Sequence, residues 1–125
     1  MNANTAKLQA LGQSLWLDNI TREMLDDGTL ARYIAELSIT GLTSNPTIFN
    51  HAIKQSASYT ARIREKARGR KTTEDLFFDI ALEDLKRAAA LFAYVHEQTN
   101  GVDGWVSLEV PPTLAHDTQR TLDTA

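Results

Sequence analysis

The chain contains no cysteine. Disulfides, thiolate nucleophiles and cysteine-ligated zinc or iron–sulfur sites are therefore excluded within its 125 residues. Three histidines are present, His51, His96 and His116. No two of them stand at i,i+4, the spacing that places a metal-binding pair on one helix face. Nowhere do about 18 apolar residues run together, so no segment reads as a membrane-spanning helix. The stretch MNANTAKLQALGQSLW lacks the apolar core of a signal peptide and the arginine content of a transit peptide. The cytoplasm is the expected compartment. An excess of positive charge is missing as well: 13 Lys+Arg stand against 16 Asp+Glu, for a formal net charge of −3. Neither nucleic acid nor an anionic membrane is an expected partner. There is no internal repeat and no low-complexity segment.

What is present suits one globular domain. Hydrophobic residues make up 42% and charged residues 23% of the 125. Ala3 to Leu11 reads as a short helix closed by Gly12. Ser14 to Asp18 is a short apolar run ending in a carboxylate and is expected to be a buried strand. Thr21 to Leu37 is helical with a break at Asp27-Gly28, and Leu30, Tyr33, Ile34 and Leu37 form one apolar stripe. Ile39 to Thr43 reads as a second strand. Asn45-Pro46 has the composition of a helix start, ahead of Ile48, Phe49, Ala52 and Ile53. Tyr59 to Arg68 is helical again. Thr72 or Thr73 opens the longest helix, on which Phe77, Ala81, Leu85, Ala88, Phe92 and Val95 make a core stripe ending near Asn100-Gly101. Trp105 to Val110 is the third strand, followed by Pro111-Pro112 and a last helical pattern. Strands alternating with helices imply an α/β fold with parallel pairing and right-handed crossovers.

Strands of a parallel sheet covered on both faces should be nearly continuous apolar runs. All three depart from this near their C-terminal ends. Side chains alternate along a strand, so Trp16 and Asp18 share a face opposite Leu15 and Leu17. Gly41, Thr43 and Asn45 share a face opposite Leu42. Ser107 and Glu109 share a face opposite Val106, Leu108 and Val110. The apolar faces are expected to meet the helices, which leaves the polar faces pointing at one another in a barrel or cleft. Polar residues at the carboxyl ends of parallel strands are where α/β folds carry active sites. Plainer duties compete with that reading. Asp18 is a good N-cap for the following helix, and Asn45 suits the cap of a proline-initiated one. Glu109, flanked by Leu108 and Val110, has no capping duty. Trp16 is expected to pack rather than to stack on a ligand.

The segment Gly41-Leu42-Thr43-Ser44-Asn45-Pro46-Thr47-Ile48-Phe49 resembles the N-terminal signature of the transaldolase family. LWLDNI at 15–20 resembles that family's first barrel strand with its active-site aspartate. WVSLEVPPTLAHDT at 105–118 resembles its third strand with the active-site glutamate. The likeness spans essentially the whole chain in order and spacing. It implies a TIM-type parallel (β/α)₈ barrel, of which residues 1–125 are the N-terminal part of a single domain, with strands 1–3 and their helices. It also implies transfer of a dihydroxyacetone unit from sedoheptulose 7-phosphate or fructose 6-phosphate to an aldose phosphate, in the pentose phosphate pathway. The family uses a lysine Schiff base and no metal or organic cofactor. By position, Asp18 would be the acid/base at the donor C4 hydroxyl, and Glu109 would act through a water in Schiff-base formation and hydrolysis. Asn45 would hydrogen-bond the dihydroxyacetone moiety, with Thr43 and Ser107 lining the same pocket.

The family's Schiff-base lysine lies on the fourth strand, beyond these residues, and a full barrel takes roughly 250 residues. Lys7, Lys54, Lys66, Lys71 and Lys86 all fall on helices or loops, and none is assigned as nucleophile. The 125 residues by themselves are expected to be inactive and to self-associate through open sheet edges. The alternative is a non-catalytic truncated barrel acting as an interaction module, for which Asp18, Asn45 and Glu109 would be unnecessary. Six of the ten residues from Arg62 to Lys71 are Lys or Arg. Without interleaved aromatics this run is expected to be a solvated face rather than a nucleic-acid patch.

Overall fold

A computed structural model describes residues 2–45, 51, 53–68 and 72–124, with the backbone alone at Thr73 and Glu74. Helix α1 (Ala3–Ala10) starts at Asn2, whose side chain accepts from the Asn4 amide at 2.9 Å. Strand β1 (Trp16–Leu17) leads to α2 (Arg22–Asp26) and α3 (Thr29–Leu37). The break between these helices is at Gly28, with φ of 76°, a conformation that glycine adopts without penalty. Strand β2 (Gly41–Thr43) follows, then a 3₁₀ turn (Ala57–Tyr59) running into α4 (Thr60–Ala67). Helix α5 (Thr73–Gln98) is the longest. The Thr72 side chain accepts from the Asp75 amide at 3.0 Å, and the Asp75 carboxylate accepts from the Thr72 amide at 3.2 Å. This reciprocal cap satisfies donors that the first helical turn leaves open. Strand β3 (Trp105–Ser107), a 3₁₀ turn (Pro112–Leu114) and α6 (Thr118–Thr124) complete the order. The expected helix start at Pro46, with Ile48, Phe49 and Ala52, lies outside the described residues, as do Gly69, Arg70 and Lys71.

The three strands form one parallel sheet in the order β1-β2-β3. Leu17, Leu42 and Val106 are in register and lie on the helix side, packed with Ile20, Leu30, Ile80, Leu85, Ala88 and Phe92. The stripe expected on the longest helix is the one that meets the sheet. Trp16, Gly41 and Trp105 form the adjacent register row. A Cβ at Gly41 would stand 2.3 Å from Cε2 of Trp16, so the indole lies against β2 only because residue 41 is glycine. Gly104 is constrained twice: its φ is +84°, and a Cβ there would stand 2.3 Å from the His96 amide nitrogen.

Regular pairing is shorter than the apolar runs at 14–18, 39–43 and 105–110 suggest. At the N-terminal edge the Thr40 amide donates to the Leu15 carbonyl and the Gly104 amide to the Thr40 carbonyl, both at 2.8 Å. The Thr40 hydroxyl also accepts from the Leu15 amide at 3.1 Å. At the other edge Asn45 turns away with φ of 27°. Glu109 lies past the end of β3, not within a strand, and among the described residues no backbone group of β2 pairs with it.

A buried polar cluster ties the helices to the strand exits. Asp84, on α5, has no exposure. It accepts from Arg22 Nε at 2.9 Å and from the Tyr59 hydroxyl at 2.9 Å, while that hydroxyl accepts from the Arg22 amide at 2.8 Å. Arg22 also stands 4.9 Å from the centre of the Tyr59 ring. Burial pushes the Asp84 carboxyl above its ordinary range, against the opposing effect of Arg22. The adjacent Glu83 pairs with Arg62 at 2.5 Å and with Lys66 at 2.9 Å. Those bonds, led by the one from Arg62, hold its carboxyl at about 2.

Three outcomes follow from these contacts. Asp84→Ala leaves Arg22 and the Tyr59 hydroxyl without their shared acceptor, and urea denaturation should show a loss of about 3 kcal/mol. Ser38 closes α3 with φ of 55°, is buried, and its hydroxyl has no partner among the described residues. Ser38→Gly should therefore stabilise the chain by about 1 kcal/mol on the same scale. Glu83 is depressed in the folded state, so its contribution is full above 4.5 and is lost as pH falls towards about 2. Glu83→Gln should lower stability at pH 7 and flatten the acid-induced transition in that window, followed by circular dichroism.

Candidate active site

The carboxyl edge of the sheet carries the polar residues singled out by side-chain alternation. Asp18 directly follows β1 and is exposed. It does not cap the next helix, because Thr21 does so, accepting from the Met24 amide at 3.3 Å. Asn45 has a left-handed backbone rather than the extended one of an N-cap, and its amide Nδ2 donates to Asp18 Oδ2 at 3.1 Å. The capping reading for Asp18 gives way to a side-chain contact between the exits of β1 and β2, while the helix that Asn45 would cap lies outside the described residues.

The second carboxylate is held from the same segment. The Thr43 hydroxyl donates to Glu109 Oε1. The Ser44 hydroxyl accepts from the Glu109 amide at 2.9 Å, and the Ser44 amide donates to the Ser107 carbonyl at 3.2 Å. Ser107 is the register partner of Thr43. Of the five residues expected at the site, Asp18 meets Asn45, Thr43 meets Glu109, and Ser107 stands beside Thr43 in the sheet. Ser44 is the addition that sequence reasoning passed over. Its signal was available: it shares parity with Leu42, on the side facing the helices, where a serine has no apolar role.

Trp16 is 44% exposed, so the expected core packing is replaced by a position against Gly41, two residues before Asp18. Trp105 turns its ring edge-on to His96, with centroids 4.8 Å apart, and its Nε1 donates to the Gly101 carbonyl at 3.0 Å. His51 and His116 are exposed. Lys7, Lys54 and Lys86 are exposed on or beside helices, while Lys66 is paired with Asp79 and Glu83. Within the basic run, Arg62 and Lys66 face acidic residues of α5. Among the described residues no group of three or more His, Asp or Glu is placed to hold a metal ion. No described helix is long and apolar enough to cross a membrane.

Chemically, the edge presents two carboxylates, each engaged by a neutral donor from β2 or the turn directly after it. A donor on one carboxylate oxygen fixes its rotamer and leaves the other oxygen to exchange a proton with a bound molecule.

The sequence signature of the transaldolase/fructose-6-phosphate aldolase family matches residues 15–125. A transaldolase of Arthrobacter sp. (strain FB24) is 43% identical over 122 residues, which are 98% of this chain and 33% of that protein. A transaldolase of Renibacterium salmoninarum is 41% identical over 125 residues, 100% of this chain and 33% of its own length. One from Trichodesmium erythraeum is 39% identical over 119 residues, 95% of this chain and 31% of its own. The chain thus spans about a third of the length of these curated relatives. A signature covering all three strands, together with relatives at this identity, shows that the chain belongs to the transaldolase/fructose-6-phosphate aldolase family.

Proposed function

We propose that these residues form the first three strand–helix units of a (β/α)₈ barrel that transfers a dihydroxyacetone unit between sugar phosphates. The observation that carries this reading is the exit of β2, where Asn45 engages Asp18 and Thr43 engages Glu109. In this reading a lysine contributed by the fourth strand adds to the C2 carbonyl of fructose 6-phosphate or sedoheptulose 7-phosphate. Water leaves, and an iminium forms. Asp18 takes the proton of the C4 hydroxyl as the C3–C4 bond breaks. The bonding electrons move into the iminium to give an enamine, and an aldose phosphate departs. The acceptor aldose phosphate then enters, and the same proton returns through Asp18 to the new hydroxyl. Glu109 moves protons through a water while the Schiff base forms and hydrolyses.

In this reading Asn45, whose amide donates to Asp18, also hydrogen-bonds the three-carbon unit. Thr43 and Ser107 line the same space. The chemistry needs no metal or organic cofactor, and a cytoplasmic setting fits a sugar-phosphate substrate. On the same reading the free edges of the three-stranded sheet pair with further barrel strands, or with a second copy when the 125 residues stand alone.

A chimera tests the reading. The chain is joined, in place of the matching third, to the rest of the Arthrobacter transaldolase, and turnover of fructose 6-phosphate with erythrose 4-phosphate is measured. The chimera should be active. Asp18→Asn and Glu109→Gln should each lower kcat by about 100-fold or more while circular dichroism stays unchanged. Asp18→Asn with parental kcat would exclude the acid/base role.

A further inference from the structure

Backbone pairing between β2 and β3 stops at Thr43 and Ser107. Beyond that point Asn45 takes a left-handed backbone conformation with φ of 27°, and among the described residues no backbone group of β2 accepts from the Glu109 amide. The Glu109 amide would then face a gap in the ladder, and a half-buried amide without an acceptor is unfavourable. The Ser44 hydroxyl fills the gap, accepting from the Glu109 amide at 2.9 Å. Ser44 itself is 4% exposed, and its own amide donates to the Ser107 carbonyl at 3.2 Å. One residue thus grips β3 and its extension at two successive points, two residues apart. The preceding residue, Thr43, donates to the Glu109 carboxylate.

We infer that Ser44 is a positioning residue for Glu109: its buried hydroxyl stands in for the missing backbone acceptor and fixes the strand exit from which the carboxylate reaches Thr43. The inference rests on the proton-transfer role proposed for Glu109. Ser44 lies on the parity opposite Thr43 and Asn45, away from the polar face, and acts through the backbone of Glu109 rather than on a substrate. Without the hydroxyl, the Glu109 backbone loses its tether to Ser44, and the carboxylate is held to the strand exit by the Thr43 hydroxyl alone among the described contacts, so it is free to shift. A displacement of about 1 Å at a proton-transfer group is enough to lower turnover roughly 100-fold.

The test is a double-mutant cycle in the chimera described above. Ser44→Ala should lower kcat by roughly 10- to 100-fold with the donor KM held within about threefold. In the Glu109→Gln background the same substitution should change kcat by less than about twofold, since both changes then act on one group. Equal losses in the two backgrounds would overturn the inference, as would parental kcat for Ser44→Ala alongside an impaired Glu109→Gln. Parental kcat for Glu109→Gln itself would overturn the role of Glu109 and the inference together. A second measurement needs no variant: amide hydrogen exchange in the 125-residue chain. The Glu109 amide should be protected by about 10-fold or more relative to an unstructured peptide, and exchange at the unprotected rate would show that no such tether exists.

Discussion

The whole arrangement depends on a carboxylate that has no access to water. Asp84 sits in the middle of α5 with zero exposure, and such a group is tolerated only when its oxygens are engaged. Its partners come from far away in sequence. Arg22 is 62 residues distant and opens the helix after β1. Tyr59 is 25 residues distant and ends the turn before α4. The Tyr59 hydroxyl donates to Asp84 and accepts from the Arg22 backbone, so the three groups form a closed set. Glu23, beside Arg22, extends the tether by accepting from Ser56 and Ser58. The segment running from Asp18 to Arg22 and the turn Ala57–Tyr59 are therefore both fastened to α5.

That fastening gives the carboxyl edge of the sheet its geometry. Helix α5 presses an apolar stripe on the buried side of the strands, which forces the alternate residues to the other side. Leu42 is fully buried, and its register partners Leu17 and Val106 are partly buried against the same core. Asp18, Thr43 and Ser107 follow them one step on. Short parallel strands leave few backbone bonds, and hydroxyl groups complete the ladder at both ends. Thr40 does so at the amino edge and Ser44 at the carboxyl edge. The first stabilises the sheet, and the second also carries the backbone of a residue proposed to move protons.

Charge is partitioned across α5. One side meets the sheet, while Asp79 and Glu83 meet α4. The basic composition of α4 has its physical explanation here. Arg62 and Lys66 pair with an acidic row on the neighbouring helix, and Arg62 also pairs with Glu65 within its own helix. A cluster of cations that looks like a binding surface in one dimension is, for these two residues, a helix–helix seam.

The sequence alone determined the order of elements, the parallel pairing and the side of each strand that faces the helices. Those follow from apolar periodicity, which every residue of a segment reinforces. The break at Gly28, the stripe on the longest helix and the polar set Asp18, Thr43, Asn45, Ser107 and Glu109 were legible for that reason. Tertiary structure decided what each polar residue does with its neighbours. Asp18 is a good N-cap by type, yet Thr21 caps the helix after β1, and the turn at Asn45 directs its amide to Asp18. The strand ends at 107 rather than 110 because regular pairing with β2 stops at Thr43, a non-local fact absent from the local pattern. Ser44, Tyr59, Arg22 and Asp84 carried no pattern of their own. Hydrogen bonds between residues tens of positions apart depend on distance and angle, and those exist only once the chain has closed on itself.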